Sequence, residues 1–305
     1  MRRLLVTGQN GFVGHHLQAA LAAGQYPGWN LIAHQAHDLL QPSSLDAWLQ
    51  QQPDGGIDAV IHLAGQTFVP AAFNDPEHTL QVNLLGTLHL LKALKRHGFA
   101  GTFLYVSSGD VYGQVAPEHL PISETLAPQP RNPYAVSKVA AELLCLQWGL
   151  TEPGWRVLVA RPFNHIGTGQ AASFVLSNMA QQLQQIRQGR QAPVLQVGDV
   201  DVTRDFLAVD DVIAAYFALL AQGQAGEIYN VCSGHERLVR DLITHMALQA
   251  DLEVRLEQDA QRLRRAEQRR VVGNNHKLQA HTGWQPRHDL RTTLHAVFHD
   301  WQERE

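Results

Sequence analysis

The sequence predicts an α/β protein with a doubly wound parallel sheet and a smaller C-terminal substrate-binding domain. Short, continuous apolar runs rich in β-branched residues recur at 4–7, 31–33, 59–64, 102–107 and 156–160. Stretches with helical apolar spacing separate them, at 12–23, 79–97 and 134–149. A glycine-rich turn stands between the first run and the first helix. Strands buried on both faces lose the in–out alternation of a half-exposed sheet, so unbroken apolar runs imply parallel strands joined by right-handed helical crossovers.

Composition narrows the class further. The chain has 305 residues, enough for one large domain with a smaller companion. Hydrophobic residues make up 45% and charged residues 17%, values of a soluble globular enzyme that exclude a disordered chain. A formal charge of -4 gives no bulk attraction to nucleic acid or to an anionic membrane. No run is long enough to span a bilayer. The start, Met1 to Gly8, carries two arginines and an apolar run too short for a secretory signal, so a cytoplasmic protein is expected. Cys145 and Cys232 are far apart in apolar surroundings, which suits a reducing compartment and gives no disulfide framework. Seventeen histidines raise the question of a metal. His15 and His16 diverge on a helix, no HxxxH or HExxH pair is expected on a helical face, and no metal is expected.

Beyond Pro162 the rhythm changes. A Gln-rich helix is expected at 174–188, strand and loop at 194–206, a helix at 210–220, and a charged tail with few strands. The division this suggests is a sheet domain over 1–163, to which 204–232 returns, and a second domain built from 164–203 and 233–305.

The turn Thr7-Gly8-Gln9-Asn10-Gly11-Phe12-Val13-Gly14 lies between strand and helix, the position of a dinucleotide-binding loop in a Rossmann-type domain. Its glycines permit a tight turn and close approach to a pyrophosphate, which then meets the free N–H groups of the helix N-terminus. An acid ending the second strand would favour NAD, and an arginine there NADP. Residues 31–37 hold neither, so NADP(H) and NAD(H) both stay open, with Asp38 and Leu39 placed near the adenine.

Tyr134 and Lys138 stand at i and i+4 on one helical face. A neighbouring ammonium is expected to lower the phenol's pKa, and a drop of about 3 units needs about 4 kcal/mol. Ser108 follows the 102–107 strand, at the sheet edge where open α/β sheets bind ligands, and can hydrogen-bond a substrate oxygen.

Taken together, the TGxxGFxG loop, His62 to Gly65, Asn83 to Thr87, SSxxVYG, YxxxK, Arg161-Pro162-Phe163-Asn164 and Arg204-Asp205-Phe206 resemble the extended short-chain dehydrogenase/reductases over nearly the whole chain. The resemblance implies a catalytic Ser108, Tyr134 and Lys138, with Lys138 also holding the nicotinamide ribose. It implies cofactor contacts from Gly8, Gly11, Phe12, Val13, Gly14, Leu63, Ala64, Gly65 and Arg161. Within the superfamily, Asn164-His165-Ile166-Gly167 and the run from Arg264 to Val271 look most like the bacterial GDP-6-deoxy-D-mannose reductases. Those enzymes convert GDP-4-dehydro-6-deoxy-D-mannose to GDP-D-rhamnose. Substrate contacts are then expected from Ser108, Asp110, Asn164, Phe174, Val175, Arg204, Arg264 and Glu267, and a homodimer built on the helices at 79–97 and 134–149. Arg262, Arg264, Arg265, Arg269 and Arg270 suit a pyrophosphate better than a solvated face or a nucleic-acid patch. A 4,6-dehydratase would place an acid just after the catalytic hydroxyl, most often a Glu two residues on, where this chain has Gly109 and the shorter-reaching Asp110, which weakens that reading without excluding it. The reductase reading is therefore preferred over a dehydratase, a 4-epimerase or a non-catalytic NAD(P)-binding regulator.

Overall fold

The computed structural model describes residues 1–32, 38–51, 56–263 and 268–304. The first half runs β1 (Arg2–Thr7), α1 (Phe12–Ala22), β2 (Trp29–Leu31), α2 (Pro42–Gln50), β3 (Ala59–His62), α3 (Val69–Asn74) and α4 (Pro76–Leu80). A π-helical turn (Gln81–Leu85) leads to α5 (Gly86–Arg96), β4 (Thr102–Val106), α6 (Pro133–Thr151) and β5 (Arg156–Pro162). Then follow β6 (Asn164–Ile166), α7 (Val175–Arg187), β7 (Val194–Val197), β8 (Thr203–Arg204), β9 (Phe206–Ala208), α8 (Val209–Gln222) and β10 (Ile228–Val231). The chain ends with β11 (Arg237–Leu238), α9 (Val239–Gln249), β12 (Arg255–Gln258), α10 (His276–Thr282) and α11 (Leu290–Arg304).

Six parallel strands form the sheet in the order β10-β5-β4-β3-β1-β2. The path leaves β1 for β2 on one side and returns to β3 on the other, so the chain reverses direction across the sheet between β1 and β3. The carboxyl ends of those two strands therefore border a crevice, the place where open α/β sheets hold ligands. Alternate side chains explain the unbroken apolar runs. Leu4 and Val6 pack with residues of α8 on one face, whereas Leu5, Val60 and Phe103 pack with residues of α5 and α6 on the other. A separate apolar cluster gathers α7, α9 and α11 around β7 and β9.

Two expectations are corrected. The second strand pairs with β1 over Trp29–Leu31, earlier than expected, with Trp29 opposite Arg2; residues 33–37 lie outside the described residues. The helix expected at 79–97 is present without a break from Pro76 to Arg96, but a π-helical turn, which the spacing did not predict, joins its α4 and α5 parts. Pro70 and Pro76 each start a helix, where a missing N–H is tolerated, and the Asp75 carboxylate caps α4 by accepting from His78 N at 2.9 Å.

The helix α6 is fixed to β5 by an ion pair that water does not reach. Arg161 Nε and Nη2 donate to Glu142 Oε1 and Oε2 at 2.9 and 2.6 Å, and both side chains are 2% exposed. Removing one partner leaves an uncompensated buried charge. Arg161→Met is expected to lower the unfolding free energy by about 3–5 kcal/mol in denaturant melts, and adding Glu142→Leu to recover most of that loss.

Candidate active site

At the end of β1 the chain turns sharply through Gly8, at a φ of 73°. A Cβ on Gly8 would lie 2.7 Å from Ala64 N, so a side chain there would force β1 and β3 apart at their carboxyl ends. Gly14 is equally crowded, with a Cβ position 2.5 Å from Gly8 O, which lets α1 start directly against the loop. Gly11 is the N-cap of α1, contributes no side-chain cap, and is followed by no acid in the first turn. The N–H groups and positive dipole end of α1 therefore face outward for an anion. Phe12 and Val13 pack partly against the core beneath. A cleft bordered by Gly8, Gly11, Leu39, Leu45, Trp48 and Ala64 continues from the loop. Backbone donors at one end and apolar walls at the other fit a dinucleotide. Leu39 is buried, and Asp38 accepts from Leu40 N at 2.9 Å, which fixes the turn into α2.

Ser108, Tyr134 and Lys138 meet at the carboxyl end of β4. Ser108 caps a short 3-10 turn and accepts from Asp110 N at 3.2 Å. Tyr134 sits in the first turn of α6, begun by Pro133 and capped by Asn132, whose Oδ1 accepts from Ala135 N at 2.7 Å. Ser108 hydrogen-bonds the Tyr134 phenol. Lys138 Nζ donates to Val106 O at 2.8 Å and lies 5.9 Å from the centroid of the Tyr134 ring. Gly65 closes the gap to the cofactor side, because a Cβ there would be 3.6 Å from Lys138 Nζ. The sequence-assigned Gly8, Ala64, Gly65, Ser108, Tyr134 and Lys138 thus come together at the ends of three adjacent strands.

The electrostatics differ from expectation. Burial raises the Tyr134 pKa well above the usual phenol range, the Asp110 charge adds to the rise, and the Ser108 hydrogen bond opposes it. The net direction is therefore opposite to the expected lowering, and burial also removes water from the Lys138 ammonium itself. That desolvation brings the Lys138 pKa down to about 8, against the opposing charge of Glu142.

Asn83, not singled out from the sequence as a site residue, ties these parts together. Its Nδ2 donates to Gln66 O at 2.9 Å and Ser137 Oγ at 2.8 Å, and its Oδ1 accepts from Gln66 N at 2.7 Å. Ser137 Oγ in turn donates to Tyr134 O at 2.7 Å. The signal for it in the sequence was its place in the Asn83 to Thr87 motif.

Other assignments are redistributed. Arg161, expected at the cofactor, is turned instead to Glu142 and lies 4.8 Å from the Tyr112 ring centroid. Asn164, Phe174 and Val175 are exposed at the start of β6 and α7. Arg204 Nη1 donates to Thr203 O at 2.6 Å and Gln268 O at 2.8 Å. Arg264, Arg265 and Glu267 lie outside the described residues. The rest of the basic run faces protein acids rather than an empty anion site: Arg262 pairs with Asp259, Arg269 with Asp199 and Arg270 with Glu236. An HxxxH pair does exist, against expectation, on α11, where His295 Nε2 and His299 Nε2 are 3.1 Å apart. Among the described residues no group of three or more His, Cys, Asp or Glu is placed to hold a metal, and no helix is long and apolar enough to cross a membrane. Cys145 and Cys232 are unpaired and buried.

Residues 4–232 match the NAD dependent epimerase/dehydratase family. The chain belongs to that family. It is 59% identical to the GDP-6-deoxy-D-mannose reductase of Pseudomonas aeruginosa over 303 residues, 99% of this chain and 98% of that protein. It is 32% identical to a dTDP-glucose 4,6-dehydratase of Streptomyces antibioticus over 78% of this chain and 74% of the other. The solved structure of RMD from Pseudomonas aeruginosa complexed with NADPH superposes with a TM-score of 0.94 at 58% identity, covering 100% of both chains. Within the family the chain is thus an NAD(P)-dependent nucleotide-sugar reductase.

The Lys138 ammonium makes stability depend on pH. Its folded pKa, about 8, lies below the unfolded value of 10.5, so the cost of burying the charge is full below pH 8. That cost disappears as pH rises from 8 toward 10.5. Thermal melts should accordingly show Lys138→Met more stable relative to the parent at pH 7 than at alkaline pH; an unchanged difference across that range would show that the buried ammonium imposes no such penalty.

Proposed function

We propose that this protein uses NADPH to reduce the C4 ketone of GDP-4-dehydro-6-deoxy-D-mannose, forming GDP-D-rhamnose. The observation that carries the reading is the convergence of Ser108, Tyr134 and Lys138 beside the strand end that borders the glycine loop, in a chain so close to a reductase of that substrate. NADPH, when bound, supplies the hydride. Tyr134 donates the proton to the developing alkoxide, and Ser108 Oγ holds the same oxygen by hydrogen bond. A raised phenol pKa keeps Tyr134 protonated and ready to donate across the neutral range. Lys138 orients the nicotinamide ribose beside it.

A dehydratase needs a further acid/base group just after the hydroxyl, most often a Glu two residues on, and packing opposes one at the first of these places. A Cβ on Gly109 would lie 3.1 Å from Phe163 Cδ2, so a side chain there requires that ring to move. Asp110, next in line, carries a short carboxylate. Both features favour simple ketone reduction.

The second domain, 164–203 with 233–305, is assigned the sugar nucleotide, and 1–163 with 204–232 the cofactor. Asn164, Arg204, Arg264 and Glu267 would meet the polar parts of the nucleotide. Phe174 and Val175, 39% and 37% exposed at the head of α7, offer an apolar face for the base. Unpaired buried thiols suit the cytoplasm. The protein is assigned a homodimer through α6, on which Val136, Leu143 and Leu150 repeat every seven residues and are 43%, 64% and 85% exposed. Leu143→Asp is expected to convert a dimer into a monomer in sedimentation analysis; a parent already monomeric would remove the dimer from this reading.

The deciding assay follows NADPH absorbance with the ketosugar generated in place from GDP-mannose. Stoichiometric NADPH loss, reduced about 10³-fold in Tyr134→Phe, supports the reductase. Conversion of GDP-mannose by this protein alone, without NADPH consumption, would identify a dehydratase instead.

A further inference from the structure

His62 is the buried titratable group that this chemistry leaves without a task. It ends β3, is 1% exposed, and bonds at both ring nitrogens: Nδ1 to Thr7 Oγ1 at 2.5 Å and Nε2 to Thr87 Oγ1 at 2.9 Å. Burial, with the Lys138 charge, brings its pKa down to about 3, so the ring is neutral at any working pH.

The direction of each bond follows from its partners. Thr87 Oγ1 donates its proton to Asn83 O at 2.6 Å, and a carbonyl can only accept. Thr87 Oγ1 must then accept from His62 Nε2–H. A neutral ring with its proton on Nε2 has a lone pair on Nδ1, so Thr7 Oγ1 donates to Nδ1. Thr7 Oγ1 also accepts from Ala64 N at 3.3 Å. One continuous polar chain therefore runs from Ala64 N–H through Thr7, His62 and Thr87 to Asn83 O.

The two ends of this chain are the two halves of the site. Thr7 immediately precedes Gly8, and Ala64 is the residue Gly8 packs against. Asn83 stands in the π-helical turn and holds Gln66 and Ser137, the latter bonded to the Tyr134 carbonyl. A π-helical turn leaves the helix ladder locally out of register, and a hydroxyl bond back to the fourth preceding carbonyl fixes the resulting bend.

We propose that His62 and Thr87 are positioning residues, a neutral imidazole–hydroxyl relay that sets the distance between the glycine loop and the Asn83–Ser137–Tyr134 side of the site. The inference rests on the reductase reading for its kinetics but not for its geometry. Neither residue touches the reacting atoms. The relay acts by holding the span that a dinucleotide must cross, from pyrophosphate cradle to proton donor. A displacement of a fraction of an ångström there falls on the reacting geometry more than on binding.

The test has one arm without cofactor and one with it. In the unliganded protein, nitrogen NMR of His62 should show a protonated Nε2 and a bare Nδ1, unchanged from about pH 8 to about pH 5, where an ordinary histidine titrates. The opposite tautomer, or titration in that range, would overturn the relay. In turnover, Thr87→Val keeps the shape and removes both bonds. It should lower kcat about tenfold with KM for NADPH and ketosugar within about twofold, whereas Thr87→Ser should restore most of kcat. An unchanged kcat in folded Thr87→Val, or no rescue by serine, would also overturn it. If the parent reduces no ketosugar, the reductase reading fails while the NMR arm still decides the relay.

Discussion

The reacting centre depends on how α6 is seated against the carboxyl ends of β4 and β5. Three contacts within two turns of that helix do this. Ser137 receives Asn83, Lys138 reaches Val106 O at 2.8 Å, and Glu142 takes both guanidinium bonds of Arg161. Lys138, Glu142 and Arg161 are all buried, at 3%, 2% and 2% exposed, so two positive charges share one negative charge away from water. Such a group holds only while each partner stays in place, because an unpaired buried charge costs far more than a surface one. The helix that presents Tyr134 is therefore fixed electrostatically as well as by its apolar face.

That arrangement also bears on the direction of proton transfer. A phenol raised by burial and by Asp110 gives up its proton only when something more basic forms beside it. The alkoxide made by hydride addition to a ketone is such a base. The Ser108 hydrogen bond lowers the phenol's pKa and so moderates the rise without cancelling it. The balance suits the proposed reduction, in which Tyr134 stays neutral while the substrate binds and is drawn on only as negative charge develops on the oxygen.

Much of this was readable from residue order. Apolar runs announced β1, β3, β4 and β5 because strands covered on both faces have no polar side to disguise them. Tyr134 and Lys138 could be placed on one helical face from spacing, since four residues is about one helical turn, and the SSxxVYG strand end gave that pair its meaning. What escaped were features decided by partners distant in sequence. The π-helical turn within the 79–97 stretch holds Asn83, whose carbonyl accepts from Thr87 and whose amide donates to Ser137, 54 residues away. The arginines of 262–270 invited a phosphate because their acids, Asp199 and Glu236, come from other segments. Burial, which lifts the Tyr134 pKa and lowers that of Lys138, is likewise a property of the assembled core.

The join between the sheet and the second apolar cluster follows the same logic. Asp205 is fully buried and accepts from Ser233 N, Ser233 Oγ, Gly234 N and Gly273 N at 2.8, 2.6, 3.0 and 3.1 Å. Burial pushes this carboxyl up, yet the four donors each favour its ionised form. Two separated segments, 233–234 and 273, are thereby drawn to one side chain. The contact continues inward, for a Cβ on Gly273 would come 2.8 Å from Phe163 Cζ, and the same ring fills the space beside Gly109, next to Ser108. The 273 segment and the backbone beside Ser108 thus pack against the same ring. Glycine at 109 and 273 lets the ring lie between both backbones, and this packing leaves no space for a side chain at 109, directly after Ser108.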